Sequence, residues 1–319
     1  MILRSLLRRS FTLVLLLGSA HALAEATHYP LTIQSCNREV TFQQAPKHAV
    51  SHDINMTQMM LALGLKPQMA GYSGVSGWKA VTPDMQTLLD GLPELAAKYP
   101  SVETLLNANV DFFFAGWDYG MRVGGDLTPQ TLQPLGINVY ELTESCAFVM
   151  KRPPATLEDT YNDLRNLGRI FDVQDRANAL IGAMQARVAG IRQGLPAEKP
   201  RVFLYDSGED RAMTSGRLGM PQALIDAAGG RNVLDDVEAS WTRVNWETVV
   251  ERNPQVIVIV DYSEITADQK IRFLLNNKAL QSVDAIKHQH FIVIPYVQAT
   301  PGIDNVLAVA TLAKGFHGE

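Results

Sequence analysis

From Lys47 onward, short apolar runs alternate with stretches whose apolar residues recur at helical spacing. "HAVSHD" predicts a strand that ends in polar residues, and "NMTQMMLALGL" a helix that stops near Gly64. "PQMAGYSG" reads as a second strand and "PSVETLLNAN" as a short helix capped by Ser101 behind Pro100. "VDFFFAGWDYG" is apolar almost without interruption, the pattern of a strand buried on both faces. "TPQTLQPLG" and "INVYELTES" add another helix and strand. Alternation of this kind predicts a parallel sheet with helices on both sides.

The middle of the chain breaks that rhythm. "PPATLEDTYNDLRNLGRIFDV" and "QDRANALIGAMQARVAGIRQGL" are helical patterns with no strand between them. The second, predicted over 175–193, places apolar or Ala residues at 177, 180, 181, 184, 188 and 191 and would run about 30 Å at 1.5 Å per residue. After "PAEKP" the alternation resumes. "RVFLYDSG", "PQVIVIVDY" and "HFIVIPY" predict strands; "MPQALIDAAGG", with Pro221 in its first turn, "RFLLNN" and 304–314 predict helices.

Ahead of all this, "MILRSLLRRSFTLVLLLGSAHALA" has Arg4, Arg8 and Arg9, an apolar run from Phe11 to Leu17, and a small-x-small site at Ala22-Leu23-Ala24. That is the build of a secretory signal peptide cleaved after Ala24, and its apolar run is far short of the roughly 20 residues of a spanning helix. Removal of 24 residues from 319 leaves 295, enough for two lobes, and takes the formal charge from −5 to −8. An acidic chain without a Lys/Arg run argues against nucleic acid, and no later segment is long and apolar enough to be membrane-embedded. In an exported chain the only two cysteines, Cys36 and Cys146, read as one disulfide, with two buried thiols as the alternative.

Ligands of open α/β sheets sit beyond the carboxyl ends of the strands. Those ends carry His52, Asp53, Asn55, Tyr72, Trp78, Trp117, Asp118, Tyr119, Arg122 and Glu144 in the first half. The second half offers Asp206, Ser207, Met213, Ser215, Arg217, Trp241, Arg243, Asp261, Tyr262 and Tyr296. Aromatic residues in such loops can bind or pack. No phosphate-binding glycine loop, nucleophile elbow or H-E-x-x-H zinc motif is present, and the histidines suggest no dedicated metal site. No catalytic residues and no cofactor are therefore expected.

Two stretches read almost as copies: "ETLLNANVDFFFAG" from Glu103 and "ETVVERNPQVIVIV" from Glu247, 144 residues apart. Both open Glu-Thr, place an Asn six residues after the Glu and end in an apolar run. With "PQALIDAAGGRNVLDD" and the Trp246-Glu247 pair before "NPQVIVIV", the chain resembles the periplasmic binding proteins of ABC importers for iron–siderophore complexes, cobalamin and haem. The resemblance implies two Rossmann-like α/β lobes with parallel sheets, joined by a long spine helix, with the ligand cleft between them. It implies a non-enzymatic, monomeric receptor in the periplasm, whose Glu103 and Glu247 would pair with arginines of an inner-membrane ABC permease dimer. Two lobes meeting a two-fold partner need one anionic handle each.

The expected boundaries are 1–24 for the signal peptide, 25–154 for the first lobe, 155–197 for the linking helices and 198–319 for the second lobe. The expected cargo is a small-molecule metal complex, a ferric siderophore before cobalamin or haem. An exported enzyme working on a metal-bound ligand is the reading from a different class. Candidate ligand-binding residues are His52, Tyr72, Trp78, Trp117, Tyr119, Arg122, Arg217, Trp241, Arg243 and Tyr262. Arginine forks would meet anionic chelate groups, and aromatic rings would cover the organic shell.

Overall fold

A computed structural model describes residues 26–77, 81–262 and 265–318. The predicted signal peptide and Trp78 lie outside the described residues. Every strand predicted above is present. In the first lobe, Glu94–Ala96, Met69–Ser73, Ala49–His52 and Phe112–Trp117 lie side by side, and Asn138–Glu141 pairs with the far edge of Phe112–Trp117, all parallel. In the second lobe the order is Arg231–Asn232, Arg201–Tyr205, Val256–Asp261, Phe291–Pro295, again parallel.

The repeated segments occupy equivalent places. Phe112–Trp117 and Val256–Asp261 are inner strands, each flanked by two parallel neighbours, which is why their sequences carry no polar face. Each follows a short helix, Val102–Asn107 or Trp246–Arg252, with its glutamate in the first turn. Ser101 caps the first of these helices by accepting from the Thr104 amide at 3.0 Å. The repeated asparagine has a backbone reason. Asn109 (φ 52°) and Asn253 (φ 41°) both turn the chain out of the helix in the left-handed region, which Asn tolerates better than most residues.

The helices Leu157–Ile170 and Gln174–Gln193 pack against each other and bridge the lobes. Ala177, Ile181, Met184 and Val188 are the buried stripe of the longer one, as their spacing predicts. They join a continuous apolar cluster that reaches Phe112 and Phe114 in the first lobe and Leu224 and Leu312 in the second. A core shared across the connector is stiff, because close-packed interiors deform little. The final helix, Asn305–His317, runs three residues beyond the predicted 304–314 and packs along the connector. Among the described residues no helix is long and apolar enough to cross a membrane.

The pattern did not predict the hairpin Leu31–Ser35/Arg38–Phe42. It docks on the edge strand Asn138–Glu141: Arg38 Nε and Ser35 Oγ both reach Glu141 Oε2 at 2.8 Å. Cys36 and Cys146 form a disulfide that fastens the hairpin to the turn after that strand.

Candidate functional site

Strand ends from both lobes meet around a cavity of ≈ 330 Å³. From the first lobe come His52, Asp53, Tyr99 and Asp118; from the second, Asp206, Ser207, Tyr262, Ile265, Lys270 and Tyr296. His52 ends the strand Ala49–His52 and is held on all sides. Its Nδ1 lies 3.0 Å from Ser73 Oγ, and its ring stacks on Tyr99 at 5.0 Å with planes 7° apart. A Cβ on Gly74 or Gly120 would stand 2.3 or 2.6 Å from that ring, so both glycines exist to make its slot. On the same tyrosine the Arg122 guanidinium sits 4.9 Å from the ring centroid, and the Tyr99 hydroxyl donates to the Asp118 carbonyl at 2.9 Å.

Asp53 has φ 65° and ψ 158°, a conformation costly for any residue with a Cβ. Side-chain bonds hold it there. Its Oδ1 accepts from the Ile54 amide at 2.6 Å, at the start of the helix Ile54–Ala62, and its Oδ2 accepts from the Tyr296 hydroxyl of the opposite lobe at 2.8 Å. Tyr262 makes the matching bond within the second lobe, donating to Asp206 Oδ1 at 2.6 Å. Burial, and then the neighbouring carboxylates, push both phenols well above the ordinary tyrosine range, so they remain donors. The two rings stand 4.9 Å apart and separate this cavity from a second one of ≈ 320 Å³, which Gln58, Asp261 and Asp304 also line.

Lys270 is buried beside the cavity. Its ammonium donates to the carbonyls of Asp206 and Val260, at the ends of two parallel strands, and lies 4.7 Å from the Tyr262 ring centroid. Deeper between the lobes, Trp241 Nε1 donates to the Tyr119 hydroxyl at 2.6 Å, and Ser240 donates to Glu144. Glu144 is fully buried, and burial pushes its carboxyl up to about 7.

The candidate residues therefore separate into groups. His52 and Tyr262 line the cavity, as do Asp53, Asp118, Asp206, Ser207 and Tyr296 from the strand-end set. Tyr119 and Trp241 join the lobes to each other, and Arg122 reaches the site only through the Tyr99 ring. Trp117 lies in the first-lobe core, where its Nε1 donates to Glu141 at 2.9 Å. Tyr72 packs at the edge of that lobe beside Leu89 and Leu92. Arg217 pairs with Glu238, and Arg243 is exposed near Gly208; neither lines the cavity. Glu103 and Glu247 are exposed, one on each lobe, and neither lines the cavity.

Tyr99, Ile265 and Lys270 line the cavity and were not among the candidates. Lys270 had a signal: it shares the stripe of Ala267 and Leu274, so it interrupts an otherwise apolar helix face. Tyr99 sits in a Tyr-Pro loop after the short strand Glu94–Ala96, which the pattern did not reveal. Among the described residues no cluster of three or more His, Cys, Asp or Glu side chains is arranged to hold a bare metal ion.

Residues 50–297 match the profile of a family described as periplasmic binding protein. The vitamin B12-binding protein of Pectobacterium carotovorum is 25% identical over 219 residues, covering 67% of this chain and 71% of that one. Among solved structures, a periplasmic binding protein from Veillonella parvula superposes with a TM-score of 0.79 at 29% identity, covering 91% of this chain and 98% of that one. An ABC-type Fe3+-hydroxamate transport protein from Saccharomonospora viridis superposes with a TM-score of 0.76 at 22% identity, covering 91% and 100%.

Proposed function

The chain belongs to the periplasmic binding proteins, and on that footing we propose that it captures an iron–siderophore complex between its lobes and delivers it to an inner-membrane ABC permease. The observation that carries this reading is the cavity at the facing strand ends of two lobes that share one stiff connector. Such a receptor needs no chemistry. It holds cargo and offers a docking face, and the connector restricts it to small tilts of the lobes. Glu103 and Glu247, exposed at equivalent places on the two lobes, are the anionic handles for a two-fold permease.

The lining favours hydroxamate chelates over catecholates or carboxylates. Anionic chelates call for guanidinium forks, and among the described residues no arginine lines the cavity. Hydroxamate complexes carry less negative charge and present carbonyl and apolar surface, which phenol rings and hydroxyls cover well. The Saccharomonospora viridis protein is named for the same chelate class. A corrinoid is the second reading, favoured by the B12-binding relative from Pectobacterium carotovorum.

Absorption spectra of the protein purified from iron-limited cells test the proposal. A ferric hydroxamate charge-transfer band is expected. A corrinoid or Soret spectrum would replace the cargo assignment, and turnover of the bound complex without a permease would end the non-enzymatic reading.

A further inference from the structure

The charged and hydrogen-bonding groups facing the cleft are unbalanced in one direction. Among the described residues, Asp53, Asp118 and Asp206 line the first cavity against one lysine, Lys270, and no arginine. That lysine is committed to the protein, since its ammonium donates to two backbone carbonyls beneath the Tyr262 ring. The second cavity, behind the Tyr262–Tyr296 partition, has Asp261 and Asp304 in its wall and, among the described residues, no lysine or arginine. It also holds an orphan acceptor. Gln58 Nε2 donates to Asp304 Oδ2 at 3.3 Å, which fixes the amide's orientation and, among the described residues, leaves Oε1 buried without a partner. A buried acceptor without a donor is costly, which adds to the acceptor excess on this side of the cleft.

We propose that the cleft selects cargo bearing a cationic, hydrogen-bond-donating group such as an ammonium, with Asp118 as the residue that reads the charge. The inference rests on the metal-complex reading above for the choice of scaffold only. Asp118 is exposed at the cavity, and among the described residues its carboxylate has no hydrogen bond or ion pair. Asp53 and Asp206 already accept from Tyr296 and Tyr262, so they add field more than a vacant acceptor. Among the described residues, an anion entering here would face three carboxylates and no lining guanidinium. A cation would gain from all three, and more strongly once the cargo displaces water and lowers the local dielectric. The aromatic lining adds to that preference, because ring faces attract cations.

Two matched pairs of probes separate charge from scaffold. The ferric complex of desferrioxamine B carries a free terminal ammonium, and its N-acetylated form lacks only that charge. Aquocobalamin is a cation near neutral pH, and cyanocobalamin is neutral. Fluorescence titration at low salt should show the cationic member of at least one pair binding about tenfold more tightly or better, the scale of one partly desolvated charge contact. Asp118→Asn should shrink that ratio toward one. Its fold should hold, because Asn accepts the left-handed backbone (φ 60°) found there, and a thermal melt checks this.

Equal affinities within both pairs, preference for the neutral members, tightest binding of anionic ferric enterobactin, or failure of both cations to bind would each overturn the inference. A cationic preference seen with the corrinoids alone would sustain it while removing the siderophore assignment. Binding of the neutral hydroxamate without cationic preference would do the reverse.

Discussion

Glu144 offers the sharpest test of how the lobes are held together. It lies in the turn Thr143–Phe148, fully buried, accepting from Ser240 of the opposite lobe through Oε1 while, among the described residues, Oε2 has no close hydrogen-bond donor. Burial is the main cause that lifts its carboxyl from 4.5 to about 7; the Asp159 charge adds to it, and Ser240, Tyr119 and Arg152 oppose it. The unfolded chain releases this proton near the ordinary value, whereas the folded protein keeps it to about 7. Between those limits the native state binds more protons, so stability falls as pH rises. The gap is about 2.5 pH units, which at ~1.4 kcal/mol each is a loss of ~3.5 kcal/mol from this one group, as an upper bound.

Glu144→Gln keeps an acceptor for Ser240 and removes the titration. Guanidinium denaturation at pH 5 and pH 8, at one ionic strength, should show the wild type losing ~2–3 kcal/mol more than the variant, which should be the more stable of the two at pH 8. Comparing the two proteins cancels Asp163, whose buried carboxyl is also pushed up to about 7 by burial. Parallel pH profiles would refute the reasoning, because they would mean that Glu144 gains no proton affinity on folding.

Two other perturbations follow from the same structure. Removing the Cys36–Cys146 disulfide, which closes a loop of sequence separation 110, should cost ~4–5 kcal/mol in the chain-entropy account, read as a lower denaturation midpoint with the hairpin freed from the edge strand. Trp117→Phe should cost ~1–3 kcal/mol by leaving the buried Glu141 oxygen short of its 2.9 Å donor, with cargo affinity unchanged because Trp117 lies in the core.

Much of the architecture was legible because period and length carry it. Short apolar runs such as "FFFAG" and "VIVIV", set between helical patterns, fit inner strands of a covered sheet, and the 177/181/184/188 stripe announced a helix with one buried face. The duplicated Glu-Thr segments even indicated matching positions in two lobes. The hairpin before Lys47 escaped because its strands are only five residues each, too short for their alternation to stand out.

The site was harder to read, since strand ends say which loops gather and not which side chains turn inward. His52, Asp53, Asp206 and Tyr262 sit within a residue of a strand's end and line the cavity. Loop position placed Trp117 and Arg217 among the same candidates, yet a neighbouring carboxylate claims each of them: Glu141 takes the indole N–H, and Glu238 takes the guanidinium. Tyr99 and Lys270 come from a loop and a helix, where the strand-end rule has no purchase.

The claim on which the functional account rests is that cargo sits between the lobes while the two exposed glutamates serve only delivery. Glu103→Arg combined with Glu247→Arg measures it most directly, with equilibrium cargo affinity and cellular uptake determined on the same variant. Unchanged affinity with uptake abolished is the predicted result. Uptake that persists, or affinity that falls along with it, would contradict the account.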